Sequence, residues 1–424
     1  MQVNRAGTAA LLLTPLMAAG ACSGATPVDR PVAGVQITPA GGSVRPDSPI
    51  AVKAVNGSLQ NVTVVRAGAR VEGAIGKDGS WRARWPLDPG ARYEVTATAF
   101  GTDGETQTTV GAFQTTKPRN VSGSTVVLPD NKETVGVGMP VKLQFEQKID
   151  NKAGVERALE VRTSTPVEGA WRWFDDQTVI FRPKTYWPAH TRVQVLGHTA
   201  GVRLSKNTYG SKNINLSFKI GDRHESVGSA RTHHMVVLKN GKKVRDIPTS
   251  MGMGGSRKYT TTNGVHLAIE KEYMTVMTSP GIGPGSAGYY QENVYWTVKI
   301  SDSGEYVHGA PWSVGSQGYS NVSHGCVNIS TGNARWFHNF SYRGDPIRIR
   351  GTSRELEPEN GWGYWQLDWK NWLKGSEAKS VTSSTLTGGA FAAVPPPAPK
   401  AVKDPATGPA RPPASPDPKD TVKS

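Results

Sequence analysis

Ile50-Ala51-Val52-Lys53-Ala54-Val55, Val62-Thr63-Val64-Val65 and Tyr93-Glu94-Val95-Thr96-Ala97 are short runs in which apolar and polar side chains alternate. Between them stand Asn56-Gly57, Lys77-Asp78-Gly79 and Asp88-Pro89-Gly90. A period of two gives a strand one apolar face to bury, and the intervening residues are turn formers. Strands at this spacing over residues 32–117 predict a β-sandwich of immunoglobulin-like size, without the disulfide of antibody domains.

Residues 118–222 repeat the theme in Val141-Lys142-Leu143-Gln144-Phe145, Thr178-Val179-Ile180-Phe181-Arg182 and Arg192-Val193-Gln194-Val195. Trp171, Trp173 and Trp187 read as core and packing residues of this second module. From 223 to 351 the pattern stays β-like while Gly-rich loops and histidines accumulate. Residues 352–375 hold Trp362, Tyr364, Trp365, Trp369 and Trp372, large rings that need a surface to bury against, which predicts a segment docked on the neighbouring domain. From 376 to 424 the chain is Ser/Thr-rich and then Pro/Ala/Lys-rich, so the expectation there is a disordered tail. A mainly β chain also suits the 48 Gly, 30 Pro and 12 Trp among 424 residues.

Arg5 precedes an apolar stretch from Ala9 to Ala21 that is too short to span a bilayer and reads as an export signal over residues 1–21. It ends in Ala19-Gly20-Ala21-Cys22, similar to a lipobox in which Cys22 is lipidated and followed by a tether over 22–31. Ala19 stands where a lipobox usually has a large aliphatic residue, so Ala19-x-Ala21 equally suits ordinary signal cleavage. The predicted location is outside the cytoplasm, on the membrane and facing the wall. The net charge of +15 favours an anionic partner, and no helix-turn-helix, zinc-finger or RNA-binding signature points to nucleic acid.

Only two cysteines exist, so Cys326 has no partner within the body of the protein once Cys22 is assigned to the signal. An unpaired thiol in an oxidising compartment reads best as a working nucleophile. It sits in Ser323-His324-Gly325-Cys326-Val327-Asn328, downstream of His308-Gly309-Ala310-Pro311-Trp312-Ser313. A free thiol is little ionised near neutral pH and needs a base. His324, two residues away, reaches the thiol if the segment is a strand; His308 approaches only across a hairpin or loop. Gly325 allows a close backbone approach, useful where main-chain N–H groups surround an oxyanion. Zinc binding by these residues lacks further ligands at recognisable spacing, and no metal or cofactor is expected.

These two segments resemble the signature of the L,D-transpeptidase (YkuD-type) family, and the whole layout resembles its mycobacterial and actinobacterial branch. The resemblance implies a YkuD-type β-sandwich catalytic domain behind two immunoglobulin-like modules. It also implies that Cys326 attacks a tetrapeptide donor stem of peptidoglycan, releasing D-Ala. His308 would take the thiol proton and later serve the amine of the acceptor stem, with the Gly309 carbonyl orienting its ring. His324, Gly325 and Cys326 would offer N–H groups to the oxyanion, and Ser323 and Asn328 would hold the site. Met277 and one of Tyr289 or Tyr290 would line it. The stretch Pro280–Gly285 suits a mobile lid. Carbapenem-type β-lactams are the implied inhibitors.

Three rivals stand beside a transpeptidase making 3-3 cross-links. An L,D-carboxypeptidase or wall-peptide hydrolase shares the thiol and the first half-reaction. A non-enzymatic wall-binding lipoprotein needs only the β modules. The acyl group could also pass to a protein amine.

Overall fold

The computed structural model describes residues 32–279, 281–379 and 382–384. The expected signal segment, the tether with Cys22, and the tail beyond residue 384 lie outside the described residues.

The first module packs a four-stranded sheet (Gly34–Thr38, Ala51–Val55, Trp81–Ala83, Gly73–Ile75) on a five-stranded one whose long members are Gly57–Arg66, Arg92–Gly101 and Thr106–Thr115. The period-two pattern sends Tyr93, Val95, Ala97 and Ala99 inward, where Tyr93, Val95 and Ala97 meet Val52, Val64, Trp81 and Phe113. Asn56-Gly57 is not a hairpin turn: it carries the chain from one sheet to the other. Gly57 is required there, because a Cβ would stand 2.2 Å from the Phe100 carbonyl oxygen.

In the second module, sheets built on Val141–Phe145, Thr178–Pro183 and Val167–Trp173, and on Ile214–Ile220, Arg192–Gly197 and Leu159–Thr163, enclose Leu143, Phe145, Trp171, Trp173, Phe181, Trp187 and Phe218. The three tryptophans are core residues, as their sequence context suggests. Thr178–Pro183 is buried along its whole length because its outer side is covered as well. The cover is the tryptophan segment: Trp372, fully buried, donates to the Ala170 carbonyl (3.0 Å), and Trp365 donates to that of Gly138 (2.8 Å).

Order continues past residue 375, contrary to the tail predicted from 376. The buried Glu156 carboxylate accepts from Ser376 Oγ (2.6 Å) and from the N–H groups of Glu377 (2.7 Å) and Ala378 (3.2 Å), and Thr382–Ser384 pairs with Val167–Gly169. A carboxylate needing donors and a sheet edge needing a partner hold a composition that has little apolar surface of its own.

The catalytic-domain sheets are a six-stranded one (Lys242–Pro248, His234–Lys239, His224–Ser229, Pro346–Arg350, Thr262–Leu267, Arg354–Glu355) and a four-stranded one (Glu270–Thr278, Gln291–Lys299, Tyr306–Gly309, Val327–Ile329). Val237, Ile247, Val298, Val307, Val327, Ile329 and Ile347 fill the space between them. Helix Thr331–Phe340 starts directly after the last strand, capped by Ser330, whose side chain accepts from Asn333 N–H. Ala334 and Phe337 pin it to the four-stranded sheet. Backbone bonds from Gly136 to Arg343 (2.7 Å) and from Gly138 to Gly344 (2.9 Å) join the second module to this domain.

Candidate active site

Strand Tyr306–Gly309 runs parallel to Val327–Ile329, with Val307 opposite Val327 and His308 opposite Asn328. Residues two apart on a strand share a face. Val307 and Val327 therefore enter the core, both 0% exposed. Tyr306, His308, Asn328 and Cys326, one residue before its strand, open on the other side into a cavity of about 530 Å³. His308 thus reaches the cavity from the adjacent parallel strand, and not across a hairpin or loop as expected from sequence. A bend, in place of the strand that would bring its ring to the thiol, holds His324.

His308 is buried, and its Nδ1 lies 3.0 Å from the Gly309 carbonyl oxygen. A carbonyl only accepts, so Nδ1 carries the proton and Nε2 keeps its lone pair. Burial lowers the imidazole to about 4. Cys326 is half-buried on the cavity wall; its Sγ lies 3.9 Å from Met277 Sδ and 3.7 Å from the Gly304 carbonyl oxygen. Burial pushes the thiol up to about 12, opposed by the Tyr306 N–H. Among the described residues no hydrogen bond joins Sγ to His308. Near neutral pH the resting site therefore holds a thiol and a neutral imidazole, not a preformed ion pair.

The turn that presents the thiol is held by two hydroxyls. Ser323 Oγ accepts from Gly325 N–H (3.1 Å) and donates to the Cys326 carbonyl (2.6 Å). Thr261 Oγ1 accepts from Gly252 N–H (2.8 Å) and donates to the Gly325 carbonyl (2.6 Å). Gly325 has φ +132°, while a Cβ there would meet nothing nearer than 3.8 Å. Its positive φ is a backbone conformation that side chains rarely adopt, so the turn itself calls for glycine. Its N–H is occupied by Ser323, so in this geometry it is not an oxyanion donor; the N–H groups of His324 and Cys326 have no internal partner among the described residues.

His324 Nδ1 lies 3.1 Å from the Tyr290 hydroxyl, with the rings stacked at 5.2 Å. Tyr290 lines the cavity and is kept protonated, pushed up to about 12 by burial first and by Cys326 next. Tyr289 is not among the residues lining the cavity and donates to Gln291 (3.1 Å). Met277 lines the cavity from the hairpin Glu270–Thr278/Gln291–Lys299, whose connection is residues 279–290. Asn328 Nδ2 donates to Ser313 Oγ (3.1 Å), which donates to the Ala310 carbonyl (3.2 Å), tying the thiol strand to the loop after His308.

Sequence reasoning missed Tyr306 and Glu292 on the wall, and Thr261 and Glu305 behind it. Glu305 fixes the neighbourhood of Gly304: its carboxylate accepts from Thr262 N–H and Thr262 Oγ1, both at 2.6 Å. That hydroxyl has only one proton to give, so it accepts from His266 Nε2 at 2.6 Å. His266 is fully buried and held neutral by burial, a structural histidine. Among the described residues, no three His, Cys, Asp or Glu side chains converge as a metal would require.

Residues 226–349 match the L,D-transpeptidase catalytic domain family, and residues 41–203 match the bacterial Ig domain family. L,D-transpeptidase 2 of Mycobacterium tuberculosis is 34% identical over 397 residues, covering 88% of this chain and 96% of the relative. L,D-transpeptidase 5 of the same species is 35% identical over 338 residues, covering 78% and 73%. A solved LD transpeptidase in complex with imipenem is 35% identical, covers 54% of this chain and 99% of its own, and superimposes with a TM-score of 0.47. The match to L,D-transpeptidase 2 covers most of both chains, and on that extent of likeness the chain belongs to the L,D-transpeptidase family.

Proposed function

We propose that the protein forms 3-3 cross-links in peptidoglycan by acyl transfer through Cys326. The observation that carries this reading is the placement of a thiol just before one strand and a buried neutral imidazole on the adjacent parallel strand, both facing one cavity. His308 Nε2 takes the thiol proton as sulfur attacks the carbonyl after the third residue of a tetrapeptide stem. The N–H groups of His324 and Cys326 stabilise the oxyanion, with the Tyr290 hydroxyl beside them. The C–N bond breaks, the proton passes to the leaving amine, and D-Ala departs. In the second half-reaction the side-chain amine of a diamino acid in another stem attacks the thioester. The C–S bond breaks and the thiol regains its proton through His308. Met277 and Tyr290, both on the cavity wall, shelter the thioester from water, which favours transfer over hydrolysis.

Purified tetrapeptide stems test this directly by mass analysis of products. Cross-linked dimers lacking one D-Ala are expected; trimmed monomers alone would assign the chain to the hydrolytic alternative. Strained β-lactam carbonyls of the carbapenem class should acylate the same thiol.

Export and lipid anchoring at Cys22 belong to the same proposal, supported by the apolar run before Ala19-Gly20-Ala21-Cys22 and by the wall location of the substrate. Mass analysis of the mature N-terminus should find a diacylglyceryl group on Cys22; a free cysteine or an intact leader there would contradict it.

A further inference from the structure

The protein carries a net charge of +15, yet among the described residues lining the cavity there is no Lys or Arg. Glu292 is the one lining side chain of fixed charge. It stands directly opposite Met277 in the hairpin register, and Met277 Sδ is 3.9 Å from the thiol. Glu292 is exposed at the cavity mouth, and among the described residues no hydrogen bond or ion pair engages its carboxylate. After burial and Cys326, its charge is the next influence holding the Tyr290 hydroxyl protonated. An unneutralised carboxylate on an otherwise neutral wall concentrates cations at that mouth.

Resting on the transfer reading above, we infer that Glu292 is a specificity-determining residue for the second substrate, receiving the acceptor's side-chain ammonium at the mouth of the cavity. The donor reacts through a carbonyl and needs no cation to reach sulfur. The acceptor must bring an amine, which is an ammonium near neutral pH. Held by Glu292, the ammonium loses one proton to solvent; the resulting amine attacks the thioester, the C–N bond forms as C–S breaks, and a second N–H proton reaches sulfur through His308. Glu292 does not touch the reacting carbonyl. It sets which amines arrive.

The test measures transfer from a tetrapeptide stem to Nα-acetyl-lysinamide by wild type, Glu292→Gln and Glu292→Lys, with thermal unfolding as the folding control. For an exposed pair, Glu292→Gln should raise the acceptor KM about threefold to fivefold, with kcat changed less than twofold. Glu292→Lys should raise KM by about tenfold, since it repels the ammonium. Added salt should raise the wild-type KM and leave that of Glu292→Gln flat. Equal KM values and equal salt slopes in wild type and Glu292→Gln would overturn the role of Glu292 while leaving transfer intact. A wild type that forms the thioester and only hydrolyses it would overturn both, by removing the acceptor.

Discussion

Arg182 and His308 are buried and Cys326 is half-buried beside the cavity, and removal from water has opposite consequences for the arginine and for the other two. The Arg182 guanidinium lies 4.5 Å from the ring centres of Trp365 and Trp372 and 5.6 Å from that of Trp369, and it donates to the Leu367 carbonyl at 2.7 Å. Burial lowers it only to about 10, so near neutral pH it remains a cation, held by π faces and carbonyls. Cys326 and His308 start closer to neutrality, and burial drives each into its uncharged form. An always-charged group held by three indole faces and two carbonyls locks the tryptophan segment onto the second module. Two groups with movable protons are both left uncharged near neutral pH.

Each half of that contrast is open to attack. The largest effect should come from His308→Ala, which removes the base and should slow acylation by about 10²–10⁴-fold; stopped-flow carbapenem acylation measures it. Loss of similar size in His338→Ala, a helix residue whose Nδ1 lies 3.2 Å from the Thr297 carbonyl oxygen, with thermal unfolding unchanged, would mean that the base is misassigned. Arg182→Ala should leave Trp365, Trp369 and Trp372 without their shared partner, costing about 3 kcal/mol in thermal or urea unfolding. A variant as stable as wild type would show that the cage contributes nothing. Ser323→Ala leaves Gly325 N–H and the Cys326 carbonyl unpaired, and about 1–2 kcal/mol of lost organisation should slow acylation about tenfold.

The smallest effect is a flat line. His308 acts as a base only when neutral, and its folded pKa is lowered from 6.5 to about 4. Acylation should therefore hold steady from about pH 8 to pH 5 and decline only on approach to the lowered value. The same shift disfavours folding as pH drops through the unfolded value, because the unfolded imidazole then gains a proton that the folded one refuses. An acid limb centred near 6.5 in the kinetics would mean that the ring is solvated and the dry site does not exist.

Much of this was readable from residues in order. Period-two runs identify the β modules, and Ser323–Asn328 with His308 picks out the thiol and the imidazole that line one cavity. What local sequence does not carry is pairing between distant strands. The parallel register of Tyr306–Gly309 with Val327–Ile329 decides that His308 sits beside the thiol strand. Thr261, 65 positions before Cys326 in sequence, becomes legible as a support only when its hydroxyl meets the Gly325 carbonyl. Tyr289 and Tyr290 are indistinguishable as neighbours, and the hairpin alone turns one inward. The Ser/Thr-rich stretch after 375 has the composition of a free tail, yet Glu156 captures its beginning through three hydrogen bonds.

Intact-mass spectrometry after incubation with imipenem, followed by peptide mapping, tests most directly whether Cys326 is the acylated nucleophile. Wild type should gain a single covalent adduct, mapped to the peptide containing Cys326, and Cys326→Ala should gain none. An adduct of the same mass on Cys326→Ala would contradict the assignment outright.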